Sequence, residues 1–294
     1  MELQVLKSTI DRSVNFVKPA SVGFQEARYV RRGAEYFICY LSSQTGCNRG
    51  CQFCHLTTTG QTLFEDVDAN GYAEQALQVM EHYKKDEVAK FVHYNFMARG
   101  EALANGHLIV DAPRILERLG GIAREHGLPA KFNISTIMPM TLKFSLVDVF
   151  SYAQPTIYYS LYSVSDTFRK KWLPAAMSVD KALRNLAEYQ AFTGKRLKIH
   201  FAFIEGQNDS FADVMEMVDA IHDYKLDVDF NIVRYNPGDD TSKESSEEVI
   251  QSRAATIRSR IRGYVQIVPR VGFDVKASCG MFVSGGSIVA NASP

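Results

Sequence analysis

The chain contains few cysteines, no long apolar run and no excess of charge of either sign. Five cysteines among 294 residues, an odd number, argue against a disulfide-stapled scaffold and favour a reducing compartment. No apolar run approaches the ~18–20 residues that a membrane-spanning helix needs. The first residues, MELQVLKSTIDRSVNFVK, lack the apolar core of a secretory signal. We therefore expect a cytoplasmic protein without a membrane segment.

Positive and negative side chains balance, since 33 Lys and Arg stand against 33 Asp and Glu. This balance excludes a wholly basic surface that coats nucleic acid, although local basic patches stay open. With 46% hydrophobic residues, the chain can bury a large core. The sequence shows no internal repeat, low-complexity tract or linker, so we predict one domain over residues 1–294. It divides into an extension at 1–35, a core at 36–236 and a second extension at 237–294.

Three of the five cysteines lie together, at Cys47, Cys51 and Cys54, with the spacing C-x3-C-x2-C. Three thiolates on one loop can hold three irons of a [4Fe–4S] cluster and leave the fourth iron open to a ligand. A structural zinc site would need a fourth ligand, and His55 directly follows Cys54, which is awkward for a tetrahedron. We predict the cluster, with a zinc site or three unrelated core cysteines as the alternatives.

An aromatic residue, Phe53, precedes the last of these cysteines. With it, the triplet resembles the signature of radical S-adenosylmethionine (SAM) enzymes. The resemblance implies two cofactors, a [4Fe–4S] cluster and SAM. The open iron would chelate the amino and carboxylate groups of SAM, and the reduced cluster would cleave SAM to a 5′-deoxyadenosyl radical.

Apolar, β-rich runs alternate with helix-like stretches along the chain. The predicted strands are 36–41, 90–97, 131–137, 156–162, 196–205 and 228–235, and the predicted helices are 66–83, 109–126, 142–150, 178–193 and 210–224. This alternation is typical of parallel βαβ units. We therefore predict an α/β fold, a partial (β/α)6 barrel whose active site lies at the carboxyl ends of the strands. A hairpin with one arm at 24–30 and a turn at 31–33 precedes it, and a helix (245–262) and strand (264–270) follow it.

Small or polar residues follow several predicted strands, and they form our predicted SAM site. The set comprises Gly100, Glu101, Ser135, Ser160, Leu161, Tyr162 and Asn236. A glycine lets a backbone approach a ligand closely, and Glu101 offers an acceptor for an ammonium group. Consecutive parallel strands end at one rim, so these residues should lie together. Taken singly, each is a weak signal: the alternative for Ser135 and Ser160 is a strand-end cap, and for Glu101 it is a solvated helix start.

Further motifs occur in a fixed order. They are Ser42-Ser43-Gln44, Gly100-Glu101, Ser135, Ser160-Leu161-Tyr162 with Asp166, Arg169 and Pro174, Asn208-Asp209, Asn236-Pro237, and Arg270, Gly272 and Asp274 before Ala277-Ser278-Cys279-Gly280. In this order they resemble the RlmN/Cfr family of radical SAM methyltransferases, which act on C2 or C8 of an adenine in RNA. The resemblance covers about residues 24–282.

The resemblance implies a mechanism with two uses of SAM. The adenine carbon is electrophilic, so a cysteine first takes a methyl group by displacement. A radical from a second SAM then activates that S-methyl group for addition to the ring. Cys279 matches the methyl carrier and Glu26 matches the residue proposed to remove the ring proton. A buried small hydrophobe and an exposed hairpin carboxylate are the respective alternatives.

Two positions depart from the family pattern. The family's second catalytic cysteine, which releases product by forming a disulfide, falls at Tyr40, whereas Cys39 lies one residue earlier. Side chains alternate along a strand, so Cys39 would point the wrong way unless a bulge restores its direction. The sequence therefore leaves open whether Cys39 is the resolving thiol. Tyr162 replaces a family histidine, and its hydroxyl can still form hydrogen bonds.

The resemblance implies an RNA substrate, rRNA or tRNA, and a flavodoxin-like electron donor, with no membrane partner. Only 25 residues precede Glu26, so we expect no amino-terminal RNA-binding domain. The basic groups are Arg28, Arg31 and Arg32; Arg169, Lys170 and Lys171 with Trp172; and Arg253, Arg258, Arg260 and Arg262. The middle group could pair phosphates and stack a base, whereas the last is typical of a solvated helix face.

Two other classes of function stay open. One is a radical SAM enzyme that acts on a nucleotide, DNA or a peptide. The other is a non-catalytic iron–sulfur protein. Cleavage of SAM and methylation of Cys279 would distinguish these classes from the methyltransferase.

Overall fold

A computed structural model describes residues 2–285 of the chain. Its strands are β1 (Gln4–Lys7), β2 (Val14–Pro19), β3 (Phe24–Val30), β4 (Tyr36–Tyr40), β5 (Phe91–Phe96), β6 (Ala130–Thr136), β7 (Thr156–Tyr159), β8 (Leu197–Phe201), β9 (Val228–Val233) and β10 (Val265–Val268). Its helices are α1 (His55–Thr58), α2 (Ala69–Tyr83), α3 (Gly106–Glu125), α4 (Leu146–Phe150), α5 (Asp166–Trp172), α6 (Val179–Thr193), α7 (Phe211–Asp223) and α8 (Glu247–Arg258), with a short 3-10 turn at Ala102–Ala104.

All ten strands form one sheet in which spatial order follows chain order. Strands β4 to β9 pair in parallel, each with the next, and these six strands correspond to the six that we predicted. Because β1 and β10 lie at the two edges of the sheet, it is open. The predicted partial (β/α)6 barrel is confirmed. No helix within residues 2–285 has the length and apolar character needed to cross a membrane.

Local capping explains where several helices begin and end. Reciprocal hydrogen bonds between Ser145 and Asp148 start α4, and the same arrangement between Ser210 and Asp213 starts α7. Gly194, at φ +64°, ends α6 in the left-handed conformation that a glycine adopts at little cost. The cap at Ser145 is the reason that α4 begins later than the predicted start at residue 142.

The amino-terminal hairpin is larger than predicted. Strand β3 pairs antiparallel with β4, as expected for the hairpin, but it also pairs with β2, which pairs with β1. Residues Val14 to Val17 are buried on both faces of β2. A short strand buried on both faces lacks the polar–apolar alternation that would identify it in the sequence.

The carboxyl-terminal extension contributes a strand to the barrel sheet; we predicted the strand but not its pairing. Strand β10 pairs in parallel with β9 and is therefore a seventh parallel strand. The chain then returns across the barrel. The Asp274 carboxylate accepts hydrogen bonds from Ser8 Oγ and Thr9 N at 2.7 Å, and Gly272 N donates to Asp11 at 2.7 Å. These bonds hold residues 272–283 against the amino-terminal strands. Residues 286–294 of the predicted extension lie outside the described residues.

Side chains alternate between the two faces of the barrel strands. On β4, Phe37 and Cys39 belong to the hydrophobic core of the protein. Tyr36, Ile38 and Tyr40 instead line the space enclosed by the strands, which we call the lumen. Neighbouring residues of β4 therefore face opposite sides, one toward the core and the next toward the lumen.

Candidate active site

The three clustered cysteines lie in the loop that joins β4 to α1, at the carboxyl end of the strand. Backbone bonds from Cys47 N to Gln61 O (3.0 Å) and from Cys54 N to Cys51 O (3.1 Å) hold the loop. All three cysteines line one cavity of about 120 Å³, which we call the cluster cavity. The loop position that the sequence predicted is therefore observed.

The donor set at this cavity fits an iron–sulfur cluster. Burial raises the pKa of all three thiols, that of Cys47 to about 12, so free thiols here would stay protonated at neutral pH. In residues 2–285, no three His, Cys, Asp or Glu side chains converge on a point where one metal ion could sit. Three thiols around one cavity can instead each bind a different iron, as a [4Fe–4S] cluster requires.

Glu101 is a buried carboxylate that also lines the cluster cavity. Its two oxygens accept hydrogen bonds from Leu103 N at 3.0 Å and Ile137 N at 3.1 Å. Burial raises its pKa, against the opposing effect of these bonds and of Thr136. None of the ion pairs among the described residues involves Glu101. Arg49, which lines the same cavity, also lowers this pKa but forms no ion pair with Glu101. A buried carboxylate without an ion-pair partner is suited to the ammonium group of SAM.

Close packing against Gln44 explains why residue 100 is a glycine, which the sequence did not reveal. Its φ is +90°, and a Cβ atom there would lie 2.6 Å from Cβ of Gln44. Gly100 therefore packs against Gln44, and it also lines the cluster cavity. The Gln44 side chain accepts a hydrogen bond from Glu101 N at 3.1 Å and donates one to Asp66 at 2.8 Å. The Ser-Ser-Gln segment before the cluster therefore orients the backbone of Glu101.

Ser135 and Ser160 line the cluster cavity and also a neighbouring space of about 160 Å³, the central cavity. As predicted, the two serines lie together. Leu161 belongs to the same predicted set, but its side chain is fully buried in the hydrophobic core. Its carbonyl accepts a hydrogen bond from Arg169 at 2.9 Å. Leu161 therefore supports the strand end and is not among the residues that line either cavity.

Tyr162 contacts the cluster loop through its ring. The rings of Tyr162 and Phe53 stack with centroids 4.3 Å apart and an angle of 7° between their planes. Tyr162 has φ +57°, an uncommon conformation for a residue with a side chain. Asn208 holds this backbone by donating to the Tyr162 carbonyl at 3.0 Å. The aromatic residue of the cysteine motif is thus fixed by a residue more than 100 positions later.

Cys279 lines the central cavity, and Asn236 positions its backbone. The Asn236 amide nitrogen donates to the Cys279 carbonyl at 2.8 Å and to Ser278 Oγ at 3.1 Å. Its oxygen accepts from Arg270 at 2.8 Å. We predicted that Asn236 contacts SAM. The structure places it in the central cavity, with its amide engaged by the Cys279 segment.

The cluster and central cavities share part of their walls. Both are lined by Phe53, Cys54, Met97, Ser135, Ser160 and Phe282. The Cys279 segment also docks on the cysteine loop, since His55 N donates to Gly280 O at 2.9 Å. Burial raises the pKa of the Cys279 thiol, and the nearby Arg32 and Arg28 oppose this rise. The lone cysteine therefore lies beside the cluster loop, under the influence of two cations.

Cys39 faces away from this site. Its strand pairs one-to-one with both neighbours, Tyr29↔Cys39 on one side and Cys39↔Tyr94 on the other. The side chain is fully buried in the hydrophobic core, which raises its pKa well above the usual value. Tyr40, the next residue, lines the central cavity with Cys279. The hypothesis that a bulge turns Cys39 toward Cys279 is wrong, because the register is regular.

Glu26 lies at the centre of a buried hydrogen-bond network. One carboxylate oxygen accepts from Arg99 Nε at 2.8 Å and Val283 N at 2.9 Å, and the other from Arg28 at 2.9 Å and Asn15 at 3.0 Å. Burial alone would raise its pKa, but the two guanidinium groups hold the pKa below its usual value. The alternative of an exposed hairpin carboxylate is wrong. Glu26 is absent from the residues that line the two cavities, which gives no support to a role as proton acceptor.

The basic group around Trp172 is not the exposed patch that we predicted. Trp172 is 4% exposed, and its ring nitrogen donates to Gln207 at 3.1 Å. Arg169 is buried and binds backbone carbonyls. The prediction of base stacking on Trp172 is therefore wrong for this conformation, because the hydrophobic side of α5 packs inward. Arg258, Arg260 and Arg262 are exposed, as predicted for a solvated face.

Sequence reasoning missed several residues of the site. Arg99 is fully buried and links Glu26 to the Cys279 segment. Met97 lines both cavities, and so does Phe282. The Arg-Gly-Glu order after the second barrel strand was a usable signal for Arg99, whereas Phe282 becomes visible only when the chain folds back.

The chain is similar to curated RNA methyltransferases. A curated relative from Parasynechococcus marenigrum, "Probable dual-specificity RNA methyltransferase RlmN", is 27% identical over 245 residues, which is 82% of this chain and 66% of the relative. A relative of the same description from Prochlorococcus marinus is 28% identical over 249 residues, 82% of this chain and 65% of the relative. The chain thus spans slightly less than two thirds of the length of these curated relatives. They confirm the resemblance to RlmN that the motifs indicated.

Solved structures show the same fold. A radical SAM methyltransferase from Sphaerobacter thermophilus superposes with a TM-score of 0.79 at 19% identity, over 95% of this chain and 80% of that protein. Streptococcus suis SuiB, bound to its precursor peptide SuiA, superposes with a TM-score of 0.55 at 15% identity, over 79% of this chain and 48% of that one.

The Radical SAM superfamily model matches residues 41–233, which is more than half of the chain and includes the cysteine loop, Glu101, Ser135 and Ser160. This match confirms the prediction of an enzyme that uses a [4Fe–4S] cluster and SAM. The chain belongs to the radical SAM superfamily.

Proposed function

We propose that the protein is a radical SAM methyltransferase that adds a methyl group to C2 or C8 of an adenine in RNA, through a methyl group carried on Cys279. One observation carries the proposal. Cys279 lines the central cavity, which shares Cys54, Ser135 and Ser160 with the cluster cavity. The RNA substrate follows the names of the curated relatives, which are RNA methyltransferases.

The protein's residues would bind and orient the cofactors at the cluster cavity. When bound, the cluster and SAM supply the methyl group and a 5′-deoxyadenosyl radical. We assign the cluster to Cys47, Cys51 and Cys54, and the ammonium group of SAM to Glu101. Backbone N–H groups fix both oxygens of this carboxylate, so it is oriented before the ligand arrives.

Cys279 would act as the methyl acceptor. A thiol must lose its proton to become a nucleophile. Burial raises the pKa of Cys279, but Arg32 and Arg28 favour the thiolate. The thiolate would displace the methyl group of SAM: the carbon–sulfur bond to Cys279 forms, the bond from the methyl carbon to the sulfonium breaks, and S-adenosylhomocysteine leaves. The methyl group of Cys279 would then lie in the central cavity. The hydrogen bonds from Asn236 keep this residue in place.

Release of the product requires a second thiol that this chain does not place in the cavity. Of the five cysteines, only Cys54 and Cys279 line the central cavity, and Cys54 is assigned to the cluster. We propose that a small thiol from solution takes this role. Its thiolate attacks the Cys279 sulfur, the carbon–sulfur bond to the substrate breaks, and the released carbon takes a proton. A mixed disulfide with Cys279 remains.

Mass spectrometry of Cys279 tests the proposal. The anaerobically reconstituted protein, incubated with SAM and then digested, should carry one added methyl group on the peptide that contains Cys279. Protein without reconstituted cluster, and protein without SAM, are the controls. Nucleoside analysis of RNA from cells with and without the protein should show methyladenosine only with it. Unmodified Cys279 in protein that methylates RNA would reject the carrier role.

A flavodoxin-like donor stays a prediction from the family resemblance. Reduction of the reconstituted protein by a purified flavodoxin, followed by SAM cleavage, would test it directly.

A further inference from the structure

The lumen of the barrel is polar, although barrel interiors are normally filled by branched apolar side chains. It encloses about 240 Å³ below the central cavity. Its lining includes inward-facing side chains from all seven parallel strands. The residues that matter here are Arg32, Tyr36, Tyr40, His93, Lys131, Tyr158, Lys198, His200, Asn231 and Tyr264.

Three buried polar atoms in this lining have no hydrogen-bond partner among the described residues. They are His93 Nε2, His200 Nδ1 and Asn231 Oδ1. Asn133 donates to the other nitrogen of His93 at 3.3 Å, so Nε2 carries the proton and is an unused donor. An unpaired buried polar atom costs free energy. Three of them around one space indicate that a polar ligand belongs there.

The lumen is also cationic. Lys131 Nζ lies 3.9 Å from the centroid of the Phe91 ring, and Lys198 Nζ lies 4.7 Å from that of Tyr264. Two carboxylates lie near these cations. Asp229 contacts Lys198 at 3.8 Å and Arg196 at 3.4 Å, and Glu35, which pairs with Lys90 at 2.6 Å, interacts with Lys131. With Arg32, three cations therefore face this space, and each of the two carboxylates is shared with a further cation.

The histidines respond to this positive charge. Burial first, and then Lys131 and Lys198, lower the pKa of His93 to about 4. Burial, Arg32 and Lys198 lower that of His200 to about 4. Both imidazoles are therefore neutral at neutral pH, and an anion in the lumen would relieve repulsion among the cations.

The lumen opens at the end of the barrel opposite the cluster. Lys131 and Tyr36 lie near the amino ends of β6 and β4, and both Lys131 and Tyr264 are exposed to solvent. At the other end, Tyr40 and Cys279 line both the lumen and the central cavity. A ligand can thus enter without passing the cysteine loop.

We propose that the lumen is a second binding site, which takes a small phosphate-bearing anion of mononucleotide size from the amino ends of the strands. The phosphate lies near Lys131 and Lys198, because ammonium groups are strong phosphate partners. The rings of Tyr36 and Tyr158 also line this space. The Tyr36 ring stacks on Phe91 and His93, so an attached base would pack beside this aromatic group. The inference goes beyond the proposed function and does not depend on methyl transfer.

Isothermal titration of the reconstituted protein, saturated with SAM, tests this site. The probes are adenosine 5′-monophosphate, adenosine and inorganic phosphate. We expect the monophosphate to bind at one site and adenosine to bind at least about tenfold more weakly. Inorganic phosphate that binds as tightly as the monophosphate supports the same site, with free phosphate as its source.

Variants locate the binding. Lys131→Ala combined with Lys198→Ala should weaken binding of the monophosphate at least about tenfold. Lys181→Ala, which removes an exposed cation from α6, is the matched control and should change nothing. Lys198→Gln provides a second, milder variant, and circular dichroism checks that each protein is folded.

Three results would overturn the proposal. They are no binding of any probe to the SAM-saturated protein, binding that the double variant leaves unchanged, and binding that appears only in a parallel titration without SAM. The last result would place the ligand in the cluster cavity. Because the titration involves no turnover, a failure of methyl transfer leaves this inference standing, and failure of the titration leaves the proposed function standing.

Discussion

Glu26 and Arg99 form a fully buried ion pair that clamps one backbone position of the Cys279 segment. Arg99 Nε lies 2.8 Å from Glu26 Oε1, and both side chains are 0% exposed. The same carboxylate oxygen accepts from Val283 N at 2.9 Å, while Arg99 donates to the Val283 carbonyl. The pair therefore connects the amino-terminal strands, the end of β5 and the segment that carries Cys279.

Replacement of this carboxylate should destabilise the fold. Glu26→Gln leaves Arg99 and Arg28 buried without their counter-charge, so we expect a loss of about 3–5 kcal/mol in the free energy of unfolding. Denaturant unfolding measures it. The control is Glu35→Gln, which breaks an exposed pair with Lys90 and should cost at most about 1 kcal/mol.

The reactivity of Cys279 distinguishes two roles of Glu26, namely anchoring the Cys279 segment and accepting a proton from the substrate. A loosened segment should let an alkylating reagent reach Cys279 faster in Glu26→Gln than in the wild type. Unchanged stability together with a block after methylation of Cys279 would instead favour the role of proton acceptor.

The lowered pKa of Glu26 predicts the pH dependence of stability. A group whose folded-state pKa is depressed stabilises the protein above its unfolded-state pKa, whose usual value is 4.5. That contribution is lost as the pH falls through the folded-state value. Wild-type stability should therefore decrease on acidification below about pH 4.5, and the decrease should be smaller in Glu26→Gln. Parallel pH profiles for the two proteins would contradict this.

Loss of one cluster cysteine should remove the cluster. Cys51→Ala leaves only two of the three thiols at the cluster cavity, so iron content, the brown absorption and SAM cleavage should all be lost. Cys39→Ala is the matched control, since that cysteine packs in the core, and it should keep all three properties. A full complement of iron in Cys51→Ala protein would refute the assignment.

Loss of Cys279 should separate SAM cleavage from methyl transfer. Cys279→Ala leaves the cysteine loop intact, so the protein should still produce 5′-deoxyadenosine from SAM. It should transfer no methyl group to RNA, because the acceptor thiol is missing. Chromatography of the nucleoside products measures both activities. Methylation of RNA by this variant would reject the carrier mechanism outright.

A thiol at position 40 should reach Cys279, whereas the native Cys39 does not. Tyr40 lines the central cavity with Cys279, so mild oxidation of Tyr40→Cys protein should form a disulfide between residues 40 and 279. Mass spectrometry under non-reducing conditions detects it. The wild type serves as the control and should show no disulfide between Cys39 and Cys279. Such a disulfide in the wild type would overturn our assignment of the β4 faces.

Local patterns in the sequence predicted much of the fold and the site. The spacing of Cys47, Cys51 and Cys54 places three thiols on one loop without any knowledge of the fold. The strand–helix alternation predicted the parallel core, because each βα unit carries its own periodicity. From that core, it followed that Glu101, Ser135 and Ser160 would meet at one rim, as they do.

The direction and the charge environment of individual side chains could not be predicted in this way. Glu26 was compatible with an exposed hairpin, and its burial depends on two arginines and on a segment more than 250 positions later. The side of β4 that Cys39 faces depended on the register of two neighbouring strands. The sequence shows that Lys198 and His200 lie on the same face of one strand, because they are two residues apart. It does not show that this face points into the barrel, so the polar lumen could not be predicted from it.

Residue type and short spacing are enough to predict the chemistry available to this protein, namely three clustered thiols, a distant thiol at Cys279 and a barrel to hold them. Which thiol faces which space depends on the folded chain. Folding turned Cys39 into the core, set Tyr40 beside Cys279 and closed two arginines around Glu26. The physical reason is that burial and pairing shift each group's reactivity, and both arise from contacts between segments far apart in the chain.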